Sequence, residues 1–145
     1  MLRISFIVMA AALEASSIKG SGTINFGAST EHYTINTTGS SGRVTFNDRT
    51  VSGNVNGTID VNCVRIVGNE ATISGIVRQS NRKSIEGFEG LLQIRDNGKG
   101  RGNGKNGGTD MGSPILFHAV GTGSDCQVPG EFDLVPVKGD FTVQP

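Results

Sequence analysis

The stretch GTIDVNCVRIVGNEATISGIV, residues 57–77, carries the clearest fold signal in this chain of 145 residues. Two runs rich in Ile and Val flank the dipeptide Gly68-Asn69, which readily adopts positive φ and closes a two-residue turn. The sequence therefore predicts a β-hairpin. In its first strand the apolar phase changes at Cys63-Val64, which predicts a β-bulge, or a strand buried on both faces, near that point.

Short segments with the same β character continue on both sides of this hairpin, separated by Gly, Asn and Ser, a pattern typical of all-β proteins. They cover residues 23–26, 33–35, 43–46, 51–55, 87–95, 114–120, 132–137 and 140–144. One helical turn is compatible with residues 80–85. We expect one all-β domain, a single antiparallel β-sandwich or closed barrel of about 8–10 strands.

The first seventeen residues resemble a secretory leader. Arg3 precedes roughly ten mainly apolar residues, whereas a membrane-spanning helix needs about 20. The small residues Ala15-Ser16-Ser17 predict a cleaved signal peptide at 1–17; cleavage after Ala15 fits nearly as well, and Glu14 departs from the usual pattern. We expect a secreted, extracellular domain over 18–145, with no transmembrane segment.

The two cysteines, Cys63 and Cys126, are separated by 62 residues. In an oxidising compartment such a pair usually forms a disulfide, and closing this loop stabilises the fold by roughly 4 kcal/mol in the chain-entropy model. A metal site would need more ligands at short spacing, and the chain has no Cys-x-x-Cys or His-x-x-x-His. The sequence predicts a disulfide, with no metal and no cofactor.

Charge and aromatic content narrow the choice of partner. Thirteen basic and thirteen acidic residues cancel, so the chain lacks the basic surface typical of nucleic-acid binders. It has no Trp and one Tyr, Tyr33, which argues against a lectin-like stacking platform. We expect an extracellular ligand or partner of unknown chemistry and no nucleic acid; self-association is left open.

A glycine-rich loop at 96–110 is the one low-complexity stretch. Glycine and polar residues here favour a mobile loop between two strands. Asp96 and Asp110 could instead hold a cation, although Lys99, Arg101 and Lys105 lie between them. Contact with an anion or a partner is the third interpretation.

His118 is a candidate pocket residue because it follows Phe117 in an apolar strand, although a strand histidine is more often structural. We find no Gly-x-Ser-x-Gly elbow or other catalytic constellation, so the catalytic residues are unknown. Asn36-Thr37-Thr38 and Asn56-Gly57-Thr58 are sequons that would carry glycans in a eukaryotic source.

Several of these segments resemble secreted bacterial β-domains of the post-COAP-1 type. In that group a strand ending in Cys-Val-x-Val meets a Gly-Asn-x-Ala-x-Ile-Ser-Gly hairpin, and an Asp-Asn-Gly turn follows. The segments that carry the resemblance are 42–46, 55–66, 68–75 and 95–98. The resemblance covers about 20–98 and ends where the Gly/Lys loop replaces a shorter acidic segment. It implies export and a β-fold, and it implies no established activity.

The leading functional hypothesis is a secreted, non-enzymatic binding or surface-associated β-module with an unknown ligand. The first alternative is a small barrel enzyme of the isomerase or cyclase kind, with an internal apolar pocket that contains His118 or an acidic side chain. The second is an extracellular structural or assembly protein whose terminal strands pair between subunits.

Overall fold

The computed structural model describes residues 15–98, 108–123, 125–127 and 132–145. Within them the chain forms ten β-strands and a single 3-10 turn, Lys83–Ile85, and the all-β prediction is confirmed. The strands are β1 (Ser17–Phe26), β2 (Ser29–Thr38), β3 (Ser41–Thr50), β4 (Gly53–Val67), β5 (Glu70–Ser80), β6 (Glu89–Arg95), β7 (Met111–Gly112), β8 (Leu116–His118), β9 (Val135–Pro136) and β10 (Lys138–Gln144).

These strands form one antiparallel sheet that nearly closes into a barrel. Hydrogen-bonded neighbours follow the order β10-β1-β2-β3-β4-β5-β6-β7-β9, and β8 pairs with β6 beside this path. β9 and β10 stand at opposite ends of that order, yet only Val137 separates them in sequence. The two ends of the sheet are therefore brought together.

Two-residue turns join β1 to β2, β2 to β3, β3 to β4 and β4 to β5. The predicted Gly68-Asn69 turn is confirmed, because Val67 pairs with Glu70 and Gly68 has a φ of +61°. The other three turns lie at 27–28, 39–40 and 51–52. We call the end of the barrel with turns 39–40 and 68–69 the upper end, and the end with turns 27–28 and 51–52 the lower end.

Large apolar side chains fill the interior of the barrel. The rings of Tyr33 and Phe141 stack at a centroid distance of 5.6 Å, and those of Phe46 and Phe117 meet at 5.3 Å. Each fully buried large side chain contributes about 1.5–3 kcal/mol of transfer free energy. The buried core consists of Ile18, Ile24, Tyr33, Ile35, Val44, Phe46, Val55, Ile59, Val61, Ala71, Ile73, Val77, Leu92, Ile94, Ile115, Val137 and Phe141.

The predicted change of phase in β4 is confirmed as a β-bulge. The register of β4 against β5 shifts between Val61 and Cys63, so Asn62 is the extra residue. Val61 belongs to the core before the shift, and Val64 and Ile66 pack against the core after it. Because a bulge moves the alternation by one residue, Cys63 points to the outside of the barrel.

Two predicted features fall largely outside the described residues. The signal peptide at 1–17 is described only for 15–17, and Ser17 is the first residue of β1. Residues 99–107 of the glycine-rich loop also lie outside. In the part of the chain that the structure describes, no helix is long and apolar enough to cross a membrane.

Candidate functional site

Asp96 and Asp110, the residues of the predicted cation site, lie at the seam where the sheet closes. Asp96 directly follows β6 and Asp110 directly precedes β7. The backbone N–H of Phe141 donates to Asp110 Oδ2 at 2.7 Å, and that of Val143 donates to Asp96 Oδ2 at 2.9 Å. The other edge of β10 pairs with β1. Two side-chain carboxylates therefore act as the acceptors that a neighbouring strand would otherwise supply.

The other oxygens of the same two carboxylates hold the base of the glycine-rich loop. Asn97 N–H donates to Asp110 Oδ1 at 2.9 Å, and Gly98 N–H donates to Asp96 Oδ1 at 2.8 Å. Across the loop base, Gly108 N–H donates to the carbonyl oxygen of Asn97 at 2.8 Å. Each of the four carboxylate oxygens thus accepts one backbone N–H. We call the two carboxylates, Asp96 and Asp110, the seam latch.

The upper turn between β4 and β5 is fastened to the seam latch. Asp96 N–H donates to the carbonyl oxygen of Asn69, and Asn69 Nδ2 donates in return to the carbonyl oxygen of Asp96, both at 2.9 Å. Asn69 Nδ2 also lies 3.3 Å from Asn97 Oδ1. The predicted hairpin turn and the base of the glycine-rich loop therefore form one hydrogen-bonded unit.

The electrostatics of the seam latch are those of a buried carboxylate held by N–H dipoles. Asp110 is 2% exposed. Burial raises the pKa of its carboxyl, the N–H groups of Phe141 and Asn97 lower it, and the charges of Asp96 and Asp140 raise it. A cation bound here would compete with four N–H donors for the same oxygens. The cation site at Asp96 and Asp110 stays a prediction.

His118, the candidate pocket residue, lies at the end of β8. Phe117 packs its ring against Phe46 in the core, and successive strand residues point to opposite faces, so His118 faces away from the barrel interior. Its Nδ1 lies 2.9 Å from the carbonyl oxygen of Ala119, and a Cβ added at Gly123 would be 3.0 Å from its ring. Among the described residues, the carboxyl groups of Glu31 and Asp48 lie inside the barrel, on the opposite side of the sheet from His118.

Two carboxyl groups that belong to no recognised motif, Glu31 and Asp48, lie inside the barrel at its lower end. They stand directly opposite each other in the β2–β3 register, where facing Cβ atoms are about 4.5–5.5 Å apart. Sequence reasoning missed this pair, although Glu31 alternates in phase with Tyr33 and Ile35, which belong to the core. We call Glu31 and Asp48 the lower carboxyl pair.

The environment of the lower carboxyl pair opposes its ionisation. Glu31 is 6% exposed; burial raises the pKa of its carboxyl from 4.5 to about 8, and the charge of Asp48 contributes to the rise. Burial also raises the pKa of Asp48, against the opposing charge of Arg82. Asp48 Oδ1 is buried without a hydrogen-bond partner in the described part of the chain. This environment therefore favours the protonated form of the Glu31 carboxyl near neutral pH.

The segment between β7 and β8, which we call the β7–β8 segment, is held from two sides. From inside the barrel, Glu31 Oε1 accepts the N–H of Ile115 at 3.0 Å, and Tyr33 donates its hydroxyl to the carbonyl oxygen of Ser113 at 3.3 Å. From β6, Gln93 N–H donates to Ser113 Oγ, and Ser113 N–H donates to the carbonyl oxygen of Gln93, both at 2.9 Å. Two polar side chains of β2 thus fix the backbone of this segment.

Cys63 and Cys126 form the predicted disulfide, with their Cα atoms 5.9 Å apart. Cys126 is fully buried, and its N–H donates to Ser74 Oγ at 3.3 Å. Because Cys63 is on β4 and Ser74 is on β5, the bond fastens the chain around Cys126 to the outer surface of these two strands. A disulfide of this kind is compatible with an extracellular location.

The outer surface of β1–β4 presents side chains that are mostly short, polar and uncharged, and we call it the polar face. Strand register aligns its residues in rows, one of which consists of the hydroxyl residues Ser21, Thr34, Thr45 and Thr58. Its members are Lys19, Ser21, Thr23, Asn25, Thr30, His32, Thr34, Asn36, Thr38, Ser41, Arg43, Thr45, Asn47, Arg49, Asn54, Asn56, Thr58 and Asp60.

The polar face contains open depressions, among them one on β2–β4 and another on β1–β3. One, of about 620 Å³, extends over Thr34, Thr45 and Asp60. The other, of about 250 Å³, is lined by His32 and its neighbours on the adjacent strands. The polar face therefore contains open depressions that are large enough to hold small polar groups of a ligand.

Both predicted glycosylation sites, Asn36 and Asn56, are exposed residues of the polar face. Asn36 is on β2 and Asn56 is on β4, so β3 lies between them. Glycans attached at both positions would cover the centre of the face. Glycosylation itself stays a prediction.

Among residues 15–98, 108–123, 125–127 and 132–145, no group of three or more His, Cys, Asp or Glu side chains is arranged to hold a metal ion. Comparison with known proteins finds no family model that matches the chain, and no curated protein or solved structure matches it significantly. A functional proposal for this chain therefore stands on its sequence and its geometry.

Proposed function

We propose that this protein is a secreted binding module that attaches through its polar face to a neutral, polyhydroxylated polymer such as a polysaccharide. The observation that carries this proposal is the register-aligned array of hydroxyl and amide side chains over four adjacent strands. The leader-like sequence at 1–17 and the Cys63–Cys126 disulfide support export. The resemblance to the post-COAP-1 type supports it as well.

The distribution of side chains between the inside and the outside of the barrel favours binding on the surface. Large apolar residues fill the interior, and among them Tyr33, Phe46 and Phe141 are each no more than 2% exposed. The polar face instead offers an extended, solvent-accessible area on a rigid sheet. A sheet held by hydrogen bonds along every strand keeps such side chains at fixed spacing, which lowers the entropy cost of binding.

The chemistry of the polar face suits a ligand that carries hydroxyl groups. Ser and Thr hydroxyls both donate and accept hydrogen bonds, and Asn side chains provide two donors and one acceptor oxygen. The hydroxyl row from Ser21 to Thr58 has neighbours about 4.8 Å apart, set by the strand spacing. A polymer with hydroxyl groups along its length can pair with several members of such a row at once.

The same chemistry favours a polymer over a single sugar. A net contribution of about 0.5–1.5 kcal/mol is typical of one neutral hydrogen bond, and Tyr33, the one tyrosine, is buried and provides no stacking surface. Useful affinity therefore requires many contacts at the same time, which a repeating ligand supplies through multivalency.

The test is a binding experiment with the oxidised protein lacking residues 1–15, as cleavage after Ala15 would leave it with β1 intact, and a panel of insoluble polysaccharides that includes cellulose, chitin and a β-glucan. We expect retention on at least one of them. The double variant Thr34→Ala/Thr45→Ala removes two adjacent hydroxyls from the centre of the polar face, and we expect it to weaken retention by about five-fold or more, at about 0.5–1.5 kcal/mol for each lost hydrogen bond.

Thr109→Ala is the matched control, because Thr109 is an exposed threonine at the seam, outside the polar face. It should bind like the unaltered protein. Circular dichroism and thermal unfolding of all three proteins establish that the fold is kept. Retention on none of the polysaccharides, or equal retention of the double variant and Thr109→Ala, contradicts the proposal.

A further inference from the structure

We propose that the lower carboxyl pair is a proton-controlled clasp: while Glu31 holds a proton, it keeps the β7–β8 segment closed against β2, and loss of that proton loosens the segment. The clasp is independent of the proposed binding function, since the polar face lies on the outer surface of β1–β4. It makes the lower end of the barrel tighter in acidic than in alkaline surroundings.

The geometry gives Glu31 control over this segment. The N–H of Ile115 donates to Glu31 Oε1 at 3.0 Å across a separation of 84 residues, in a buried position. Ile115 itself is 6% exposed and belongs to the core. Phe117, the second residue of β8, packs on Phe46. Movement of the segment would therefore admit water to the Glu31 carboxyl and to the lower part of the core.

Apart from the Ile115 N–H, the described groups that face Glu31 do not stabilise a negative charge on it. On β3 it faces Asp48, and on β1 its register partner is Ile24, which is fully buried. On its own strand the next inward residue is Tyr33, whose pKa is raised by burial and by Glu31. From the chain that follows β5, the positive charge of Arg82 acts on Asp48.

Ionisation of the closed pair is therefore costly, and opening relieves the cost. A carboxylate at Glu31 would sit in the low-dielectric interior opposite a second carboxyl group, and within the described part of the chain the Ile115 N–H is the group that would offset its charge. When the segment opens, water solvates the carboxylate and its pKa returns toward 4.5. Protons and the closed state thus stabilise each other, and the coupling acts in both directions.

The experiment is amide hydrogen exchange followed by NMR on the oxidised protein between pH 5 and pH 8, corrected for the intrinsic pH dependence of exchange. With a Glu31 pKa of 4.5 in the open state and about 8 in the closed state, the protection of the Ile115 amide should fall by about 100-fold or more over this range. The amide of Asp96, which donates to Asn69 at the upper end, is the internal reference and should change by less than about three-fold.

Two variants and one direct titration complete the test. In Glu31→Gln the protection of Ile115 should no longer depend on pH, and in Asp48→Asn the fall should become smaller, because the charge that opposes ionisation of Glu31 is gone. The carboxyl carbon shift of Glu31 in the unaltered protein should titrate well above pH 4.5. The proposal is overturned if the Glu31 carboxyl of the unaltered protein titrates near pH 4.5. It is also overturned if the protection of Ile115 falls with pH as much in Glu31→Gln as in the unaltered protein.

Discussion

Replacing Asp110 by alanine removes one carboxylate of the seam latch and leaves two backbone N–H groups without their acceptors. These are the N–H of Phe141, at 2.7 Å from Asp110 Oδ2, and the N–H of Asn97, at 2.9 Å from Asp110 Oδ1. Asp110 is 2% exposed, so water does not readily replace it. A buried, unsatisfied N–H costs about 1–3 kcal/mol, and we expect Asp110→Ala to lower the free energy of unfolding by about 4 kcal/mol.

This loss would be a large part of the total free energy of unfolding, because domains of this size are typically stable by about 5–15 kcal/mol. Urea unfolding of the oxidised protein, followed by circular dichroism, measures it. Asp110→Asn keeps one carbonyl acceptor and should cost about half as much. Asp133→Ala is the control, since Asp133 is exposed and substitutions at such positions usually stay within about 0.5 kcal/mol.

Addition of Ca²⁺ distinguishes two interpretations of Asp96 and Asp110, the seam latch and a cation site. If Asp96 and Asp110 act only as acceptors for backbone N–H groups, millimolar Ca²⁺ or a chelator should leave the melting temperature unchanged. A rise with Ca²⁺ that disappears in Asp110→Asn would support the cation interpretation. An Asp110→Ala variant as stable as Asp133→Ala would refute the reasoning about the seam.

Two further predictions concern stability. Glu31→Gln should become more stable than the unaltered protein as pH rises: below pH 4.5 the Glu31 carboxyl is protonated in both states, and toward about pH 8 only the unfolded state gains from ionisation. In urea unfolding, the free energy of unfolding of Glu31→Gln should gain about 3 kcal/mol over that of the unaltered protein between pH 5 and pH 7.5. A difference between the two proteins that does not change with pH would count against this prediction. Replacing both Cys63 and Cys126 by serine should cost about 4 kcal/mol, and thiol titration of the unfolded, unreduced chain should find no free thiol.

Local patterns in the sequence predicted the hairpin and the bulge because both depend on residues close together in the chain. The Gly68-Asn69 turn follows from backbone preference, and the shift at Asn62 follows from the change of apolar phase around Cys63. The extent of β1 did not follow from such patterns. Its first half includes Gly20, where a Cβ would lie 2.1 Å from the carbonyl oxygen of Asp140 on β10, so the need for glycine arises only once the two strands pair.

The candidate sites depended on contacts that no local pattern contains. Glu31 and Asp48 become a pair through the register of β2 and β3, and Ile115 reaches Glu31 only when the barrel closes. The sequence did single out Asp96 and Asp110, but as ligands for a cation. Their backbone donors on β10 lie more than thirty residues further along the chain, so this role was visible only in the folded protein.

The seam latch also affects the exposed edge of the sheet. A sheet that stops short of full closure leaves a strand whose free N–H groups can template the addition of another chain. At β10 the N–H groups of Phe141 and Val143 are already engaged by Asp110 and Asp96. Two acidic side chains thus occupy N–H groups of β10 that an added strand would need, so we expect Asp110→Ala to expose this edge to intermolecular pairing as well as to lower stability.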